Sequence, residues 1–414
     1  MSVLRPFKAI RPKKEYVEKI AALPYDVMNS AEAREMVKDN PLSFIHVDKA
    51  EVDLPESADL YSDAVYAKAA KNLNALSADG YMQQETAPTL YVYRQIMNGR
   101  AQTGIVGCVS VDDYLHNVIK KHEFTRADKE ADRIRHVDAC DANTGPIFLT
   151  YRGSDAVDAI LAKYTAGTPE YDFITDDGIT NTVWVVSDAA DVQALTDAFA
   201  GVESLYIADG HHRAASAVKV GLKRREQNPD YTGEEEFNYF LAVLFKSDEL
   251  EILDYNRVLA DLNGNTVPEL IAALEEKFTV TPVGAQAYKP AEKHTFGMYT
   301  DGQWYALKAK PGLVDESDPV ARLDVSILQN HVIAPIFGID DPRTDKRIDF
   351  VGGIRGLAEL EKRANSDMRL AFSMYPTTLD DLMAIADANL VMPPKSTWFE
   401  PKLLSGLFIH KLSE

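Results

Sequence analysis

A mixed α/β fold, divided among two or three sub-domains, is the architecture that this sequence predicts. At 414 residues the chain exceeds what one ordinary hydrophobic core holds. Its hydrophobic fraction of 46% and charged fraction of 26% are typical of folded globular proteins rather than of disordered ones. From Tyr114 onward, short apolar runs of strand length alternate with segments of helical periodicity. These three observations indicate an α/β protein with more than one folded region.

The charge balance of the chain is strongly acidic. It carries 44 Lys and Arg against 64 Asp and Glu, which gives a formal net charge of −20. Because nucleic-acid affinity rests on Lys and Arg neutralising phosphates, DNA and RNA are not expected partners, although a local basic cleft stays open as an alternative. The two cysteines form no C-x-x-C pair, which disfavours a disulfide framework or a structural zinc site.

No segment of the sequence predicts export or membrane insertion. The N-terminus lacks the apolar run of a signal peptide. The apolar runs, such as residues 241–245, have strand length and fall far short of the ~20 residues that span a bilayer. We therefore expect a soluble, cytoplasmic protein without a membrane partner.

The first predicted region, residues 1–112, combines helices with a β-hairpin. Asn29 or Ser30 can cap a helix, because short polar side chains accept hydrogen bonds from first-turn amides. Asn98-Gly99 is a typical hairpin turn. The predicted elements are a strand over 3–10, helices over 15–22 and 59–76, and the hairpin strands 90–95 and 104–111.

The second predicted region, residues 113–260, alternates strands with helices. Thr125 and Asp128 form a near capping box for a helix that runs to Val137. A short apolar strand over 204–208 leads into Asp209-Gly210, and a helix comes next over 214–222. The remaining elements are strands over 146–151, 182–186, 239–245 and 251–259 and helices over 155–163 and 188–199.

The third predicted region, residues 261–414, is a smaller α/β unit. A segment rich in Pro, Gly and acidic residues, 310–319, reads as a linker or a mobile loop. The predicted elements are helices over 267–277 and 320–333 and strands over 295–299 and 304–308.

The junction between strand 204–208 and the helix after it is the strongest candidate site. It reads Asp209-Gly210-His211-His212-Arg213. Amides in the first turn of a helix lack intrahelical acceptors and lie at the positive end of the helix dipole, so they bind anions. Gly210 permits close approach of a phosphate, Arg213 offers a planar fork of donors, and the histidines add further donors. The motif predicts a phosphate-binding loop.

Two roles are open to Asp209, capping of the helix or binding of Mg²⁺ beside the phosphates. The alternative for the whole motif is a capped helix with two polar surface histidines. A metal site made by His211 and His212 is disfavoured, because adjacent helical residues do not share a face. Neither G-x-x-x-x-G-K-[ST] nor G-x-G-x-x-G occurs, so P-loop and Rossmann assignments have no support.

The loop closely resembles the phosphate motif of the ParB/sulfiredoxin superfamily, in particular that of its free serine kinases, which carry D-G-H-H-R. Upstream, Lys121-His122-Glu123, the helix over 126–137 and the strand that begins after Thr144 resemble the superfamily's order of strand, polar site, helix and strand. An insertion between Tyr151 and Ser204 separates this strand from the phosphate loop.

The chain also resembles the bacterial domain-of-unknown-function family ten-fifteen over nearly its full length. The matching motifs lie at 24–27 (PYDV), 122–125 (HEFT), 132–136 (DRIRH), 209–213 (DGHHR), 347–353 (RIDFVGG) and 392–397 (MPPKST).

These resemblances imply a ParB/sulfiredoxin-like core over 113–260, with an N-terminal extension and a smaller C-terminal α/β region that contributes to the site. They imply phosphorylation of a small hydroxyl compound, free L-serine first, with Mg²⁺ and with ATP, ADP or pyrophosphate as donor. Glu123 matches the acidic residue that serves as the base in the serine kinases. Asp209 is the second predicted catalytic residue and the predicted Mg²⁺ ligand. Phosphoryl transfer needs positioned phosphates, neutralised charge and an oriented nucleophile, and this set of residues supplies them.

Six further residues are predicted to bind substrate. Arg133 and His136 lie on one face of the helix after Glu123, for which a solvated face is the alternative. The C-terminal loop 395–397 has a lysine and two hydroxyl groups that could bind a substrate carboxylate or a phosphate; the alternative is a loop packed for structural reasons only. The predicted substrate-binding residues are His122, Arg133, His136, Lys395, Ser396 and Thr397.

Three functions are compatible with the sequence. The first is a small-molecule kinase, and the second is a phosphatase that acts on O-phosphoserine or a similar phosphomonoester with water in place of the acceptor. The third is a ParB-like nucleotide-binding regulator, which the acidic balance disfavours. The sequence leaves open the donor, the acceptor, the direction of reaction, the oligomeric state and the effect of the insertion.

Overall fold

The computed structural model describes residues 1–413. The chain forms two compact units. Unit 1 comprises Met1–Leu250 and the C-terminal segment from Pro401, and unit 2 comprises Glu251–Glu400. Both units contain strands and helices, so the predicted mixed α/β class is confirmed. The division into regions 1–112, 113–260 and 261–414 stays a prediction, although strands from the first two of these regions share one sheet.

The strands lie in both units. Those of residues 1–250 are β1 Ile10–Pro12, β2 Met82–Gln84, β3 Leu90–Met97, β4 Arg100–Ser110, β5 Ile119–Lys120, β6 Ala142–Asn143, β7 Ile147–Tyr151, β8 Tyr171–Ile174, β9 Thr180–Val186, β10 Leu205–Asp209 and β11 Tyr239–Lys246. Those after residue 250 are β12 Ile252–Leu253, β13 Tyr255–Leu259, β14 Phe278–Gly284, β15 Thr295–Thr300, β16 Gln303–Ala309, β17 Ile348–Gly352, β18 Leu370–Ser373, β19 Trp398–Phe399 and β20 His410–Lys411.

The helices are likewise shared between the units. Unit 1 contains α1 Val17–Ile20, α2 Ser30–Val37, α3 Ile45–Asp48, α4 Asp63–Ala78, α5 Val111–Leu115, α6 Ala127–Cys140, α7 Asp155–Thr165, α8 Ala189–Ala200 and α9 His211–Gln227. Unit 2 contains α10 Val267–Glu275, α11 Asp324–Leu328, α12 Ala334–Phe337, α13 Gly356–Ala364 and α14 Leu379–Asp387.

Unit 1 is built on a sheet of eight strands in the order β5-β10-β7-β11-β4-β3-β9-β8. Strand β10 runs parallel to β5 and antiparallel to β7, and β7 runs parallel to β11. The central strands are apolar on both faces, as in β11, where Phe240–Phe245 are all buried, so helices must cover both sides. The phosphate-loop motif therefore leaves the sheet close to its β5 edge.

The insertion between Tyr151 and Ser204 forms α7, β8, β9 and α8. Its two strands extend the sheet beyond β3, at the edge opposite to β5. Leu195 and Phe199 of α8 are fully buried in the same core as Leu205 and Ile207 of β10. The insertion therefore enlarges the sheet and its core without separating β10 from the segment that carries Glu123.

Unit 2 is built on a six-stranded sheet in the order β14-β16-β15-β18-β13-β17, in which every neighbouring pair is antiparallel. Its core contains Trp304, which is fully buried and donates a hydrogen bond from Nε1 to Glu361 of α13 at 2.8 Å. A one-turn π-helix, Gln329–Ile333, joins α11 to α12.

Several local predictions were wrong. The strand expected over 3–10 is reduced to single bridges, in which Arg5 pairs with Cys108 and Phe7 with Thr89, because Pro6 has no amide hydrogen to continue the ladder. The helix expected over 320–333 begins at Asp324 and then changes to π geometry. The near capping box is absent, since Thr125 donates its hydroxyl to Glu130 instead.

Other local predictions are confirmed. Asn29 caps α2 in a full capping box. The hairpin turn between β3 and β4 holds Asn98 at φ 52° and Gly99 at φ 80°, as its sequence predicts. Within residues 1–413, no helix is both long enough and apolar enough to cross a bilayer.

Candidate functional site

The junction of β10 and α9 holds the predicted phosphate loop. Gly210 precedes the helix at φ 94°, in the left-handed region that glycine adopts without strain. A Cβ atom at this position would lie 3.1 Å from the guanidinium carbon of Arg213. Among residues 1–413 no side chain caps α9, so its first-turn amides keep their capacity to bind an anion. The alternative role of Asp209 as a helix cap is therefore wrong.

Arg213 lies below this turn and is held by three groups. Its Nη1 donates to the carbonyl oxygen of Pro146, and its Nη2 lies 3.1 Å from Asp209 Oδ2 and 3.9 Å from Asp26 Oδ2. Burial favours loss of the proton, but the two carboxylates outweigh it and raise the pKa of Arg213. The guanidinium is thus fixed and charged before any ligand arrives.

Asp209 is balanced from a second direction by Lys402, which belongs to the C-terminal segment of unit 1. The Lys402 Nζ lies 3.7 Å from Asp209 Oδ2. Burial disfavours the charged carboxylate, yet Lys402 and Arg213 together lower the pKa of Asp209 below its usual value. Asp209 is therefore an ionised group at neutral pH.

The two histidines of the loop hold the segment that carries Glu123. The amide of His122 donates to His211 Nε2 at 3.5 Å, and the amide of Arg126 donates to His212 Nε2 at 3.0 Å. Each of these ring nitrogens accepts, so the proton of each neutral imidazole resides on Nδ1. The role of both histidines as hydrogen-bond donors to phosphate stays a prediction. Only their Nδ1 atoms could serve it, and that of His211 lies 3.6 Å from Glu123 Oε2.

His122 and His211 form a buried aromatic pair beneath the loop. Their ring centroids lie 4.4 Å apart at an interplanar angle of 87°. Burial lowers the pKa of each ring to about 3, so both are neutral at physiological pH. His122 is fully buried, and its predicted contact with substrate stays a prediction.

Glu123 reaches the start of α9. Its Oε2 lies 3.6 Å from Nδ1 of His211, the first residue of the helix, and about one third of its side chain is exposed, 33%. The structure therefore brings the predicted base and the predicted phosphate loop together, with the base open to an incoming molecule.

A small cavity of about 30 Å³ adjoins the buried side of Arg213. Arg133 is paired with Asp132 at 2.7 Å, and its guanidinium lies 4.0 Å above the ring of Tyr25. His136 Nε2 lies 3.0 Å from the carbonyl oxygen of Val47. The lining includes Tyr25, Asp48, Arg133, His136, Thr144 and Arg213. Arg133 and His136 are thus in one cavity with the phosphate loop, and substrate binding by them stays a prediction.

The remaining predicted residues lie in unit 2. Ser396 is buried, and its hydroxyl donates to the Pro393 carbonyl oxygen at 2.6 Å. Lys395 has a left-handed backbone at φ 57°, and its ammonium lies 5.5 Å above the ring of Tyr255. A role of Lys395, Ser396 and Thr397 in the site stays a prediction.

The carboxylates at the loop provide the nearest candidates for a metal ligand. Among residues 1–413 no group of three or more His, Cys, Asp or Glu side chains is placed to hold a metal ion. Asp209 and Asp26 both face Nη2 of Arg213 and are partly exposed. This arrangement fits Mg²⁺, which commonly takes one or two carboxylates and fills its other positions with phosphate oxygens and water.

Sequence reasoning missed three features of this site. Lys402 and Asp48 approach from distant parts of the chain, and neither belongs to a motif that signals its role. Asp26 stands in the motif at 24–27, but the pattern alone indicates no contact with Arg213. The use of His211 and His212 as acceptors for backbone amides has no sequence signal, because any residue supplies an amide.

Comparison with known proteins gives a family and several distant structures. A family model described as protein of unknown function (DUF1015) matches residues 4–326. No curated protein matches the chain.

The solved structures that align with the chain do so weakly. A mutant free serine kinase in complex with AMP aligns at 14% identity and a TM-score of 0.38, covering 71% of this chain and 87% of its own. C-terminally truncated SbnI from Staphylococcus aureus aligns at 11% identity and a TM-score of 0.38, covering 72% and 85%. A conserved hypothetical protein from Pyrococcus furiosus aligns at 13% identity and a TM-score of 0.35, covering 73% and 94%.

Proposed function

The chain belongs to the DUF1015 family, as its motifs predicted, and we propose that it is a phosphotransferase acting on the hydroxyl of a small metabolite, with free L-serine the first acceptor to test. One observation carries the proposal. Glu123, a partly exposed carboxylate, lies at the uncapped N-terminus of α9, beside a loop that holds a fixed arginine.

The donor is bound by the loop. The first-turn amides of α9 and the guanidinium of Arg213 converge where Gly210 leaves room for phosphate oxygens. Hydrogen-bond donors of this kind bind phosphate groups whether or not a nucleoside is attached, so ATP, ADP and pyrophosphate all fit the proposal. Asp26 and Asp209 hold the arginine in place, and Lys402 beside Asp209 brings the resting site close to charge balance.

Glu123 is the base. A hydroxyl placed between its carboxylate and the donor's terminal phosphate loses its proton to Glu123 as the oxygen attacks phosphorus. The bond between that phosphorus and the bridging oxygen breaks, and the donor leaves one phosphate shorter. The hydrogen bonds that the backbone amides of residues 122 and 126 donate to the two histidines keep this segment aligned with α9. The neutral state of His211 leaves Glu123 as the proton acceptor without a competing cation at its side.

Magnesium suits the same place. Asp209, with Asp26 beside it, would hold Mg²⁺ together with phosphate oxygens of the donor, and the ion would neutralise charge on the phosphates. The cavity lined by Arg133 and His136 has a volume of only about 30 Å³, room for water rather than for an amino acid, so the acceptor would lie on the open side of the loop, next to Glu123.

The proposal is tested by Glu123→Gln, which removes the base and keeps the size of the side chain. Turnover with the best acceptor should fall by ~10²–10⁴-fold, the usual contribution of a positioned base. Donor affinity, measured by calorimetry, should stay within a factor of two or so, since Glu123 forms no contact with Arg213. The matched control is Glu226→Gln, at an exposed position near the end of α9, which should leave both quantities unchanged. Full turnover in Glu123→Gln would move the role of base to Asp26 or Asp209.

A further inference from the structure

A cavity of about 290 Å³ lies in unit 2, and no residue of the phosphate loop lines it. It is somewhat smaller than the ~300–1,000 Å³ typical of drug-sized ligands, so it suits a molecule of few atoms. Two motifs that the proposed function does not use contribute to it, 347–353 through Phe350 and 392–397 through the two prolines. Its lining includes Arg257, Val325, Gln329, Asp340, Phe350 and Pro394.

Arg257 is the unusual member of this lining. It lies on β13, between β18 and the edge strand β17, and is only 4% exposed. Among residues 1–413 its hydrogen-bond partners are two backbone carbonyls, those of Tyr255 and Lys395, and no carboxylate forms an ion pair with it. Burial lowers its pKa to about 10. A buried charge without a counter-ion is costly, so this position favours an anionic ligand.

Several contacts fix the Arg257 side chain in the cavity wall. Its Nη2 donates at 3.1 Å to Lys395, whose carbonyl is directed by a left-handed backbone that a lysine rarely adopts. The guanidinium lies 5.3 Å from the ring centre of Phe350, its cross-strand neighbour. Gln329 begins the π-helical turn, a distortion common at functional sites. Two of the five N–H groups of the arginine are used by the carbonyls, which leaves donors for a ligand.

The rest of the lining selects among anions. The lining carries two arginines and two aspartates, but Arg343 pairs with Asp341, so Arg257 is left to balance one negative charge and Asp340 would repel a dianion such as phosphate. Asp341 is paired with Arg343 at 2.9 Å, whereas Asp340 is exposed and suits an ammonium group. Val325, Phe350 and Pro394 give an apolar wall for a hydrocarbon body. The cavity thus offers a cation, an acid and an apolar surface together.

From this arrangement we propose that unit 2 carries a second binding site, for an α-amino acid with an apolar side chain. The ligand's carboxylate pairs with Arg257, its ammonium group faces Asp340, and its side chain packs against Phe350 and Pro394. The inference is independent of the proposed function, because it uses no residue of the phosphate loop.

The test is calorimetric titration of the full chain with L-valine, which has no hydroxyl and cannot be a phosphoryl acceptor. Wild-type protein should bind L-valine, and Arg257→Gln should weaken binding by ~10–10²-fold, the range for loss of a charge-assisted hydrogen bond. The matched control is Arg369→Gln, at an arginine of the same unit that pairs with Asp301 on the surface and should keep wild-type affinity.

A second variant covers a failure of Arg257→Gln to fold. Asp340→Asn, at an exposed position, should weaken the binding of L-valine by roughly two- to fivefold, as for the loss of an exposed ion pair. It should leave the affinity for 3-methylbutanoate unchanged, because that molecule is valine without its ammonium group. The proposal fails if wild-type protein does not bind L-valine, if folded Arg257→Gln retains full affinity, if Asp340→Asn leaves L-valine binding unchanged, or if inorganic phosphate binds this site in place of the amino acid.

Discussion

Two arginines with little exposure, Arg213 in unit 1 and Arg257 in unit 2, show opposite ways of handling a charge. Arg213 in unit 1 lies against two carboxylates, which raise its pKa. Arg257 in unit 2 touches only backbone carbonyls, and burial lowers its pKa to about 10. The first arginine is neutralised by the protein, and the second leaves its counter-charge to be supplied.

This difference indicates two kinds of ligand. A site whose arginine is already paired favours a ligand that brings its own cation, as a phosphate donor brings Mg²⁺. A site whose arginine is unpaired favours a simple anion with a single negative charge. The same contrast extends to titratable groups, because unit 1 buries neutral histidines at its site while unit 2 buries an acid, Asp324, that is 9% exposed.

The largest expected effect that tests this comparison is an opposite response of the two units to pH. His122 and His211 have pKa values of about 3 in the folded state against an ordinary 6.5, so the unfolded chain binds more protons between these values and acid destabilises unit 1. Burial raises the pKa of Asp324 from 3.8 to about 7, so the folded state binds more protons there, and unit 2 loses stability as pH rises from about 4 to 7. Between its folded and unfolded pKa values, each group changes the free energy of unfolding by about 1.4 kcal/mol per pH unit.

Urea unfolding at pH 5 and pH 7 measures both slopes when it is followed in single-tryptophan variants that keep either Trp184 in unit 1 or Trp304 in unit 2, with Trp398 replaced in both. His122→Phe keeps a ring against His211 and should remove the share of the acid loss that comes from His122, about half of that assigned to the two histidines. Asp324→Asn can still accept a hydrogen bond from the amide of His294 and should flatten the loss of unit 2 toward pH 7. The predicted contrast would be contradicted if the free energy of unfolding changed with pH in the same direction in both units. It would also be contradicted if neither variant altered that pH dependence.

A smaller effect tests how Arg213 is placed. Gly210 and Gly233 both have positive φ, 94° and 98°, but a Cβ atom meets Arg213 only at Gly210 and meets no atom within 4 Å at Gly233. Alanine at either position should cost ~1–2 kcal/mol of unfolding free energy from backbone strain. Only Gly210→Ala should also weaken binding of the phosphate donor, on the order of tenfold, because it displaces a charge-assisted hydrogen bond.

Calorimetry with pyrophosphate and urea unfolding of both variants separate these contributions. Equal donor affinity in Gly210→Ala and Gly233→Ala would show that Arg213 does not bind the phosphate donor, whatever the loss in stability.

The parts of the molecule that could be predicted from sequence are those set by local signals. The β10–α9 junction is marked by an apolar run, a glycine and a helical pattern, and Asn98-Gly99 marks its hairpin in the same way. The family motifs identified the membership of the chain.

The features that could not be predicted depend on contacts between distant segments. Lys402 meets Asp209 only because the C-terminal segment returns to unit 1. The edge at which the insertion joins the sheet is a matter of strand pairing, which the order of elements does not determine. Arg257 stands in the sequence as an ordinary strand residue, and its lack of an acidic partner among residues 1–413 is visible only once its neighbours are placed.

The measurement that tests the central claim most directly is phosphorus NMR of the wild-type protein with Mg²⁺, L-serine and, in turn, ATP, ADP and pyrophosphate. We predict that one donor is consumed and that a resonance of O-phosphoserine grows in proportion, with other hydroxy amino acids and polyols reacting more slowly. Release of inorganic phosphate from O-phosphoserine in the absence of any donor, with no phosphorylation of L-serine or of another hydroxyl compound by the three donors, would contradict the account and identify a phosphatase.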